Sequence, residues 1–135
     1  MKSAIERLAD AIGYPDRVPG GVMPFTFRVD GMEVLAEESD GRLVLSHALS
    51  DDDGLVPALA GYAAGRMLRE DAVLSYGNRQ TFIWQDAPAD ADAHGLRRLF
   101  ETFADSCDWW RARVDALRGG EPAGSPPPET VLIRP

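Results

Sequence analysis

Cysteine is almost absent from this chain. Cys107 is the single one in 135 residues, so no intrachain disulfide can staple the fold. Its place in an apolar helical pattern marks it as a small buried hydrophobe rather than a nucleophile, and a reducing, cytoplasmic setting suits it. Histidine is nearly as scarce: neither His47 nor His94 has a cysteine or a second histidine at ligand spacing, which argues against a zinc site. Positive charge is short as well, with 14 Lys and Arg against 22 Asp and Glu and a net charge of -8. An acidic surface repels duplex DNA and anionic lipid and turns attention to basic partners, or to partners that need a soluble escort. No run approaches the ~18 apolar residues of a membrane span. The opening Met1 to Arg7 lacks the apolar core of a signal peptide, so the expectation is a soluble, cytoplasmic protein.

What is present is an ordinary globular content, 44 % hydrophobic, long enough to bury one core. Its periodicity changes in a distinctive order. Ser3 and Glu6 form a capping box; Ile5, Leu8, Ala9 and Ile12 follow on one helical face, and Gly13 stops the helix. After a proline- and glycine-punctuated loop, Phe25 to Val29, Met32 to Glu38 and Arg42 to Leu49 alternate with period two. Asp30-Gly31 and Asp40-Gly41 between them are strong hairpin signals. A helix is expected over 52–68, capped from Ser50 to Asp53 and rich in small residues. Its internal glycines, Gly61 and Gly65, each cost ~1 kcal/mol relative to alanine, which suggests a close-contact surface. Asp71 to Tyr76 and Thr81 to Gln85 read as a second hairpin turning at Gly77-Asn78. Leu96, Phe100, Phe103, Cys107, Trp110, Val114 and Leu117 then trace a long amphipathic helix over 92–118. The fold class is α+β: an antiparallel twisted sheet with elements in the order α-β-β-β-α-β-β-α. Residues 1–118 make one domain. Residues 119–135 are expected to be a flexible Pro/Gly-rich tail carrying a short apolar cluster, Val131 to Ile133.

No catalytic constellation stands out. Asp51-Asp52-Asp53 lacks the alternate spacing and distal glutamate of a calcium loop and reads as charge at a helix start. Gly20-Gly21 lacks the lysine and helix of a phosphate loop. No cofactor or metal is expected, and the chain reads as a non-enzyme. One of Trp109 and Trp110 belongs in the core, and the other is exposed or used in a contact. The feature that survives is apolar surface on short strands. Phe25, Phe27, Phe82, Ile83 and Trp84 lie on short strands, with apolar residues on both faces of the last one; an apolar second face is covered by a subunit or a ligand chain, the alternative being burial in an ordinary three-layer core. A free edge strand also accepts an extended peptide.

The element order, the size and the acidity together resemble the class I type III secretion chaperones, small acidic bacterial proteins that escort effectors to the secretion apparatus. The likeness covers roughly residues 2–118, including Thr81-Phe82-Ile83-Trp84 and a last helix with Leu99-Phe100-Glu101-Thr102-Phe103. The resemblance implies a homodimer without catalytic activity. It would bind the N-terminal region of a secreted effector, a virulence protein, in extended form, keeping it soluble and export-competent; secretion-apparatus components would be further partners. It implies effector contacts from Ile5, Leu8, Phe25, Phe27, Val34, Leu45, Phe82 and Trp84, and a two-fold interface from Leu55, Leu59, Tyr62, Ala63, Arg66, Leu74 and Tyr76. The alternative is an acidic α+β inhibitor or immunity-type module that blocks a globular basic partner through Glu37, Glu38 and Asp51 to Asp53. A third reading, an enzyme using Cys107, requires a reactive thiol.

Overall fold

The computed structural model describes residues 2–21, 23–66 and 71–119. Helix α1 spans Ala4–Ile12. Ser3 Oγ accepts from the Glu6 N–H at 3.2 Å and Glu6 Oε1 accepts from the Ser3 N–H at 2.9 Å, so the capping box satisfies two orphan donors reciprocally. Gly13, at φ 68°, closes the helix by donating to the Ala9 and Asp10 carbonyls, a left-handed position that glycine takes without steric cost.

Strands β1 (Phe25–Val29), β2 (Met32–Ser39) and β3 (Arg42–Ser50) form the expected meander. Both Asp-Gly turns carry φ of 52° and then 76°, the mirror-image turn whose twist matches that of the strands. A short 3₁₀ turn, Asp53–Leu55, leads into α2 (Val56–Arg66). Asp52 caps that turn, accepting the Gly54 N–H at 2.8 Å; the expected extension of this helix past Arg66 lies outside the described residues. Strands β4 (Val73–Gly77) and β5 (Gln80–Pro88) form the second hairpin. Its turn is Asn78-Arg79, one residue later than the sequence suggests, with φ of 52° and 62°. Gly77 instead closes the ladder opposite Gln80. A positive φ is unfavourable at Arg79, but this register sets Leu74 against Ile83 and Val73 against Trp84, pairs that sort correctly between the two faces. Helix α3 (Ala93–Arg118) starts at Asp92, which accepts the Gly95 N–H at 2.8 Å. Of the expected tail only Gly119 is among the described residues.

The α+β class and the element order are as the sequence implies. All pairings are antiparallel, in the order β1-β2-β3-β5-β4. Helices α1 and α3 cover one face of this sheet. There Ile5 and Leu8 of α1 and Leu96, Phe103, Cys107 and Trp110 of α3 meet Phe27, Val34, Leu45 and Ile83 in a continuous core. Arginines tie the two helices down. Arg7 Nη1 donates to the Ala91 carbonyl at 2.8 Å and Nη2 to that of Ala89, while Arg97 Nε donates to the Ala11 carbonyl at 3.0 Å. These acceptors lie in the β5–α3 connection and in the last turn of α1, where carbonyls lack helical partners.

Phe27, fully buried, is predicted to cost ~3–5 kcal/mol of stability when replaced by alanine. The half-buried Phe82 should cost under ~1.5 kcal/mol, below the ~1.5–3 kcal/mol of complete burial. Urea unfolding of the two variants against the natural chain measures both.

Candidate protein-binding surface

Period-two alternation sends one set of strand side chains to the helices and the other to the opposite face. On that outer face a row runs across the whole sheet, Thr26–Leu35–Ser46–Trp84–Val73, each residue opposite the next. Val44 lies beside it, between Glu37 and Asp86, and Phe82 lies between Ala48 and Ser75. Leu35, Val44, Val73, Phe82 and Trp84 are all half-buried, screened by one another rather than by a helix. Trp84 Nε1 donates to Ser75 Oγ at 2.9 Å. The indole's one polar atom is thereby satisfied within the sheet, and the ring is left as apolar surface. Arg42–Asp86 at 3.1 Å and Arg28–Glu33 at 3.2 Å add charged pairs to the periphery. An apolar centre with a charged margin is the anatomy of a protein-binding patch.

Phe82 and Trp84, two of the residues expected to contact an effector, lie on this outer face. Phe25 faces the helix side at the margin of β1, half-buried, with its ring edge-on to Tyr14 at 6.1 Å and to Phe27 at 5.0 Å. For Ile5, Leu8, Phe27, Val34 and Leu45 the expectation is corrected: each is at most 1 % exposed. Period two cannot tell which face of β1, β2 and β3 will meet the helices, and Ile5 and Leu8 are the apolar stripe by which α1 packs on that face; all five are the protomer's own core. Leu35, Val44 and Val73 escaped the sequence reading. The Asp-Gly turns put Leu35 and Val44 on one face of β1–β3, but only the β3–β5 pairing brings that face to the Trp84 side.

The expected interface residues divide in the same way. Leu59 and Ala63 are buried within the protomer, so they leave the list. Leu55 and Leu74 are half-buried, and Tyr76 is half-exposed with its hydroxyl donating to Asp53 at 2.6 Å. Tyr62 meets Trp109 edge-on at 6.0 Å, and the guanidinium of Arg66 lies 3.8 Å from the centre of the same ring, with that of Arg113 at 4.7 Å. Such cation–π contacts hold Trp109 at the surface, while Trp110 is buried. Ala58, Ala60, Gly61, Ala64 and Gly65 are exposed on α2. A Cβ added at Gly61 or Gly65 would meet nothing within 4 Å, so packing inside the protomer does not account for either glycine.

Burial, and then the charge of Asp108, push the Cys107 thiol up to about 12, far from a thiolate nucleophile. His47 Nδ1 donates to the Glu33 carbonyl at 2.7 Å, and burial lowers its pKa. Among the described residues no three His, Cys, Asp or Glu side chains gather as a metal site, and no helix is long and apolar enough to cross a membrane.

No protein-family model matches the chain, and no curated protein matches it significantly in sequence. Solved structures match its fold. A chain of the HopA1–SchA chaperone–effector complex aligns with a TM-score of 0.63 at 14 % identity, over 81 % of this chain and 91 % of that one. A chain of the ExsC–ExsE complex aligns at 0.64 and 14 % identity, over 90 % and 93 %. The architecture is type III secretion chaperone-like, in agreement with the resemblance read from the sequence.

The Cys107 thiol should resist an aromatic disulfide reagent at pH 8 in the folded chain and react at once in 6 M guanidinium. Its pKa is raised on folding from 9.0 to about 12, so its contribution to stability is complete below pH 9 and is lost as pH rises towards 12. Stability measured from pH 8 to 10.5 should fall more steeply in the natural chain than in Cys107→Ala.

Proposed function

We propose that this chain is a cytoplasmic type III secretion chaperone that works as a homodimer and holds the N-terminal region of a secreted effector extended and export-competent. The observation that carries this reading is the uncovered apolar face around Leu35, Val44, Phe82 and Trp84, on a fold shared with chains from a chaperone–effector complex. An unfolded segment loses conformational entropy when it is ordered, and a broad apolar contact offsets that loss. Such a patch binds by area rather than by a deep pocket, which suits a partner without tertiary structure. The burial of Cys107 weighs against the cysteine-enzyme reading, and the apolar centre of the surface favours this function over an inhibitor that works through acidic residues.

The second copy docks through α2. Exposed glycines that cost ~1 kcal/mol each in a helix are explained when a second backbone approaches as closely as small residues permit, and a two-fold axis presents the same stripe to itself. Tyr62, Arg66, Leu55, Leu74 and Tyr76 frame this contact, while Phe25, Phe82 and Trp84 remain for the effector.

Trp84→Lys should abolish co-purification of a co-expressed effector N-terminal segment while leaving the solution mass unchanged; undiminished capture overturns the outer-face assignment. Gly61→Ala with Gly65→Ala should convert dimer to monomer in light scattering. A chain that stays at its original mass and unfolds at higher temperature, as alanine in an exposed helix dictates, overturns the α2 interface.

A further inference from the structure

The outer sheet face that carries Leu35 and Phe82 is not flat. Towards the end of the sheet with the Asp30-Gly31 and Asn78-Arg79 turns it sinks into an open groove of about 640 Å³. Gly31 and Asn78 border this groove, and Leu35 and Phe82 supply its apolar surface. Its acidic lining is Glu33 and Glu37, and among the described residues no lysine or arginine lines it. On β2 these side chains form an acid–apolar–acid row, Glu33–Leu35–Glu37, with members ~7 Å apart.

Helix α3 leads to this end of the sheet. Thr102 Oγ1 accepts from Gln85 Nε2 at 3.1 Å. Further on, Asp108 and Arg111 act by charge on His47, which pairs with Ile83. The helix therefore runs back along β5 towards the strand's start at Gln80. At ~1.5 Å per residue, Gly119 lies about 12 Å beyond Arg111, at the end of the sheet where the groove opens. Residues 120–135 lie outside the described residues. Their sequence passes through Pro122 and Pro126-Pro127-Pro128 to Glu129-Thr130-Val131-Leu132-Ile133-Arg134. At the ~3.1 Å per residue of a proline-rich chain, Gly119 to Leu132 spans up to about 40 Å. Passing from the helical layer to the opposite face takes two layer spacings of ~10 Å, so the length suffices.

Alternation sorts an extended segment into two sides. Thr130, Leu132 and Arg134 share one, and Glu129, Val131 and Ile133 share the other. Both sides are apolar at their centre, but only the first brings a basic residue down and turns Glu129 away from the carboxylates of the groove. We propose that Thr130 to Arg134 docks over this groove of its own chain, first side down, and covers the apolar face until a client displaces it. Leu132 meets Leu35 and Phe82. Glu33 is paired with Arg28 at 3.2 Å, so Arg134 meets Glu37. Tethering gives the segment an effective concentration on the order of millimolar, which a second copy in dilute solution does not reach. The inference rests on the chaperone reading for what the covered face is for; the docking itself does not.

The test uses the full chain with a nitroxide on Glu129→Cys, the side turned away from the sheet; Cys107 is buried and takes no label. Amide NMR signals of Leu35, Ser46 and Phe82 should broaden, and those of Ile12 and Glu101 on the helix side should not. Leu132→Asp with Arg134→Glu, added to the labelled chain, should restore the lost intensity. In the unlabelled chain the same pair should raise binding of the dye ANS several-fold, because it opens the apolar face. Even broadening over both faces, intensities indifferent to the double substitution, or unchanged dye binding overturns the docking. So does broadening in an isotope-labelled chain without nitroxide when it is mixed with a nitroxide-bearing one, which would place a second copy's segment there. Effector capture separates the two levels. If the natural chain captures an effector segment, Trp84→Lys does not, and the outer-face signals stay sharp, the docking falls and the chaperone reading stands. If the signals broaden as stated and no effector segment is captured, the docking stands and the chaperone reading falls.

Discussion

Helices α1 and α3 lie on the same face of the sheet, and that one-sidedness is the constraint on which the rest of the molecule depends. A sheet gains most of its stability by burying one face, and α3, at 26 residues, is long enough at ~1.5 Å per residue to cross all of it. Its apolar stripe, from Leu96 through Phe103, Cys107 and Trp110 to Val114, is buried along its length. With α1 clamped beside it by Arg7 and Arg97, the helical layer is complete. Nothing in the described chain remains to cover the second face, yet Leu35, Val44, Val73, Phe82 and Trp84 are apolar there. A monomer that only had to be soluble would place threonines and charges at these positions, as this chain does at Thr26, Arg28, Glu33 and Glu37.

The same economy explains the distribution of charge. Among the described residues the salt bridges Lys2–Asp10, Arg28–Glu33 and Arg42–Asp86 are exposed or partly exposed, and such pairs contribute little to stability. The placement of Arg28–Glu33 and Arg42–Asp86 matters more, because they lie on the strands at the margin of the apolar sheet face. The partly buried arginine contacts of Arg7 and Arg97 answer a different need, supplying donors to carbonyls at helix and strand ends. Stability in this domain comes from the core and the caps; the surface charges act on which partners approach.

Much of the fold was legible in the sequence because local rules and tertiary packing agree. The Ser3–Glu6 capping box, Gly13 and the two Asp-Gly turns all act within a few residues of themselves, and α1 and the first three strands begin and end close to where they place them. The last hairpin departs from its signal for a tertiary reason. Its turn falls on Asn78-Arg79 rather than Gly77-Asn78 because the Leu74–Ile83 and Val73–Trp84 pairs outweigh a positive φ on an arginine.

The candidate surface was less legible, and the reason is geometric. Alternation along β1, β2 and β3 establishes that Phe27, Val34 and Leu45 share a face with one another, and that Leu35 and Val44 share the other. It does not establish which face the helices take, since a strand has no inside until something packs on it. Read alone, the chain determined its elements, its α+β order, its acidity and the two-sided apolar character of β5. Only the tertiary structure assigned Ile5, Leu8, Phe27, Val34 and Leu45 to the core and left Phe82 and Trp84 outside, because that choice is made by helices separated from the strands by tens of residues, through contacts that no local pattern encodes.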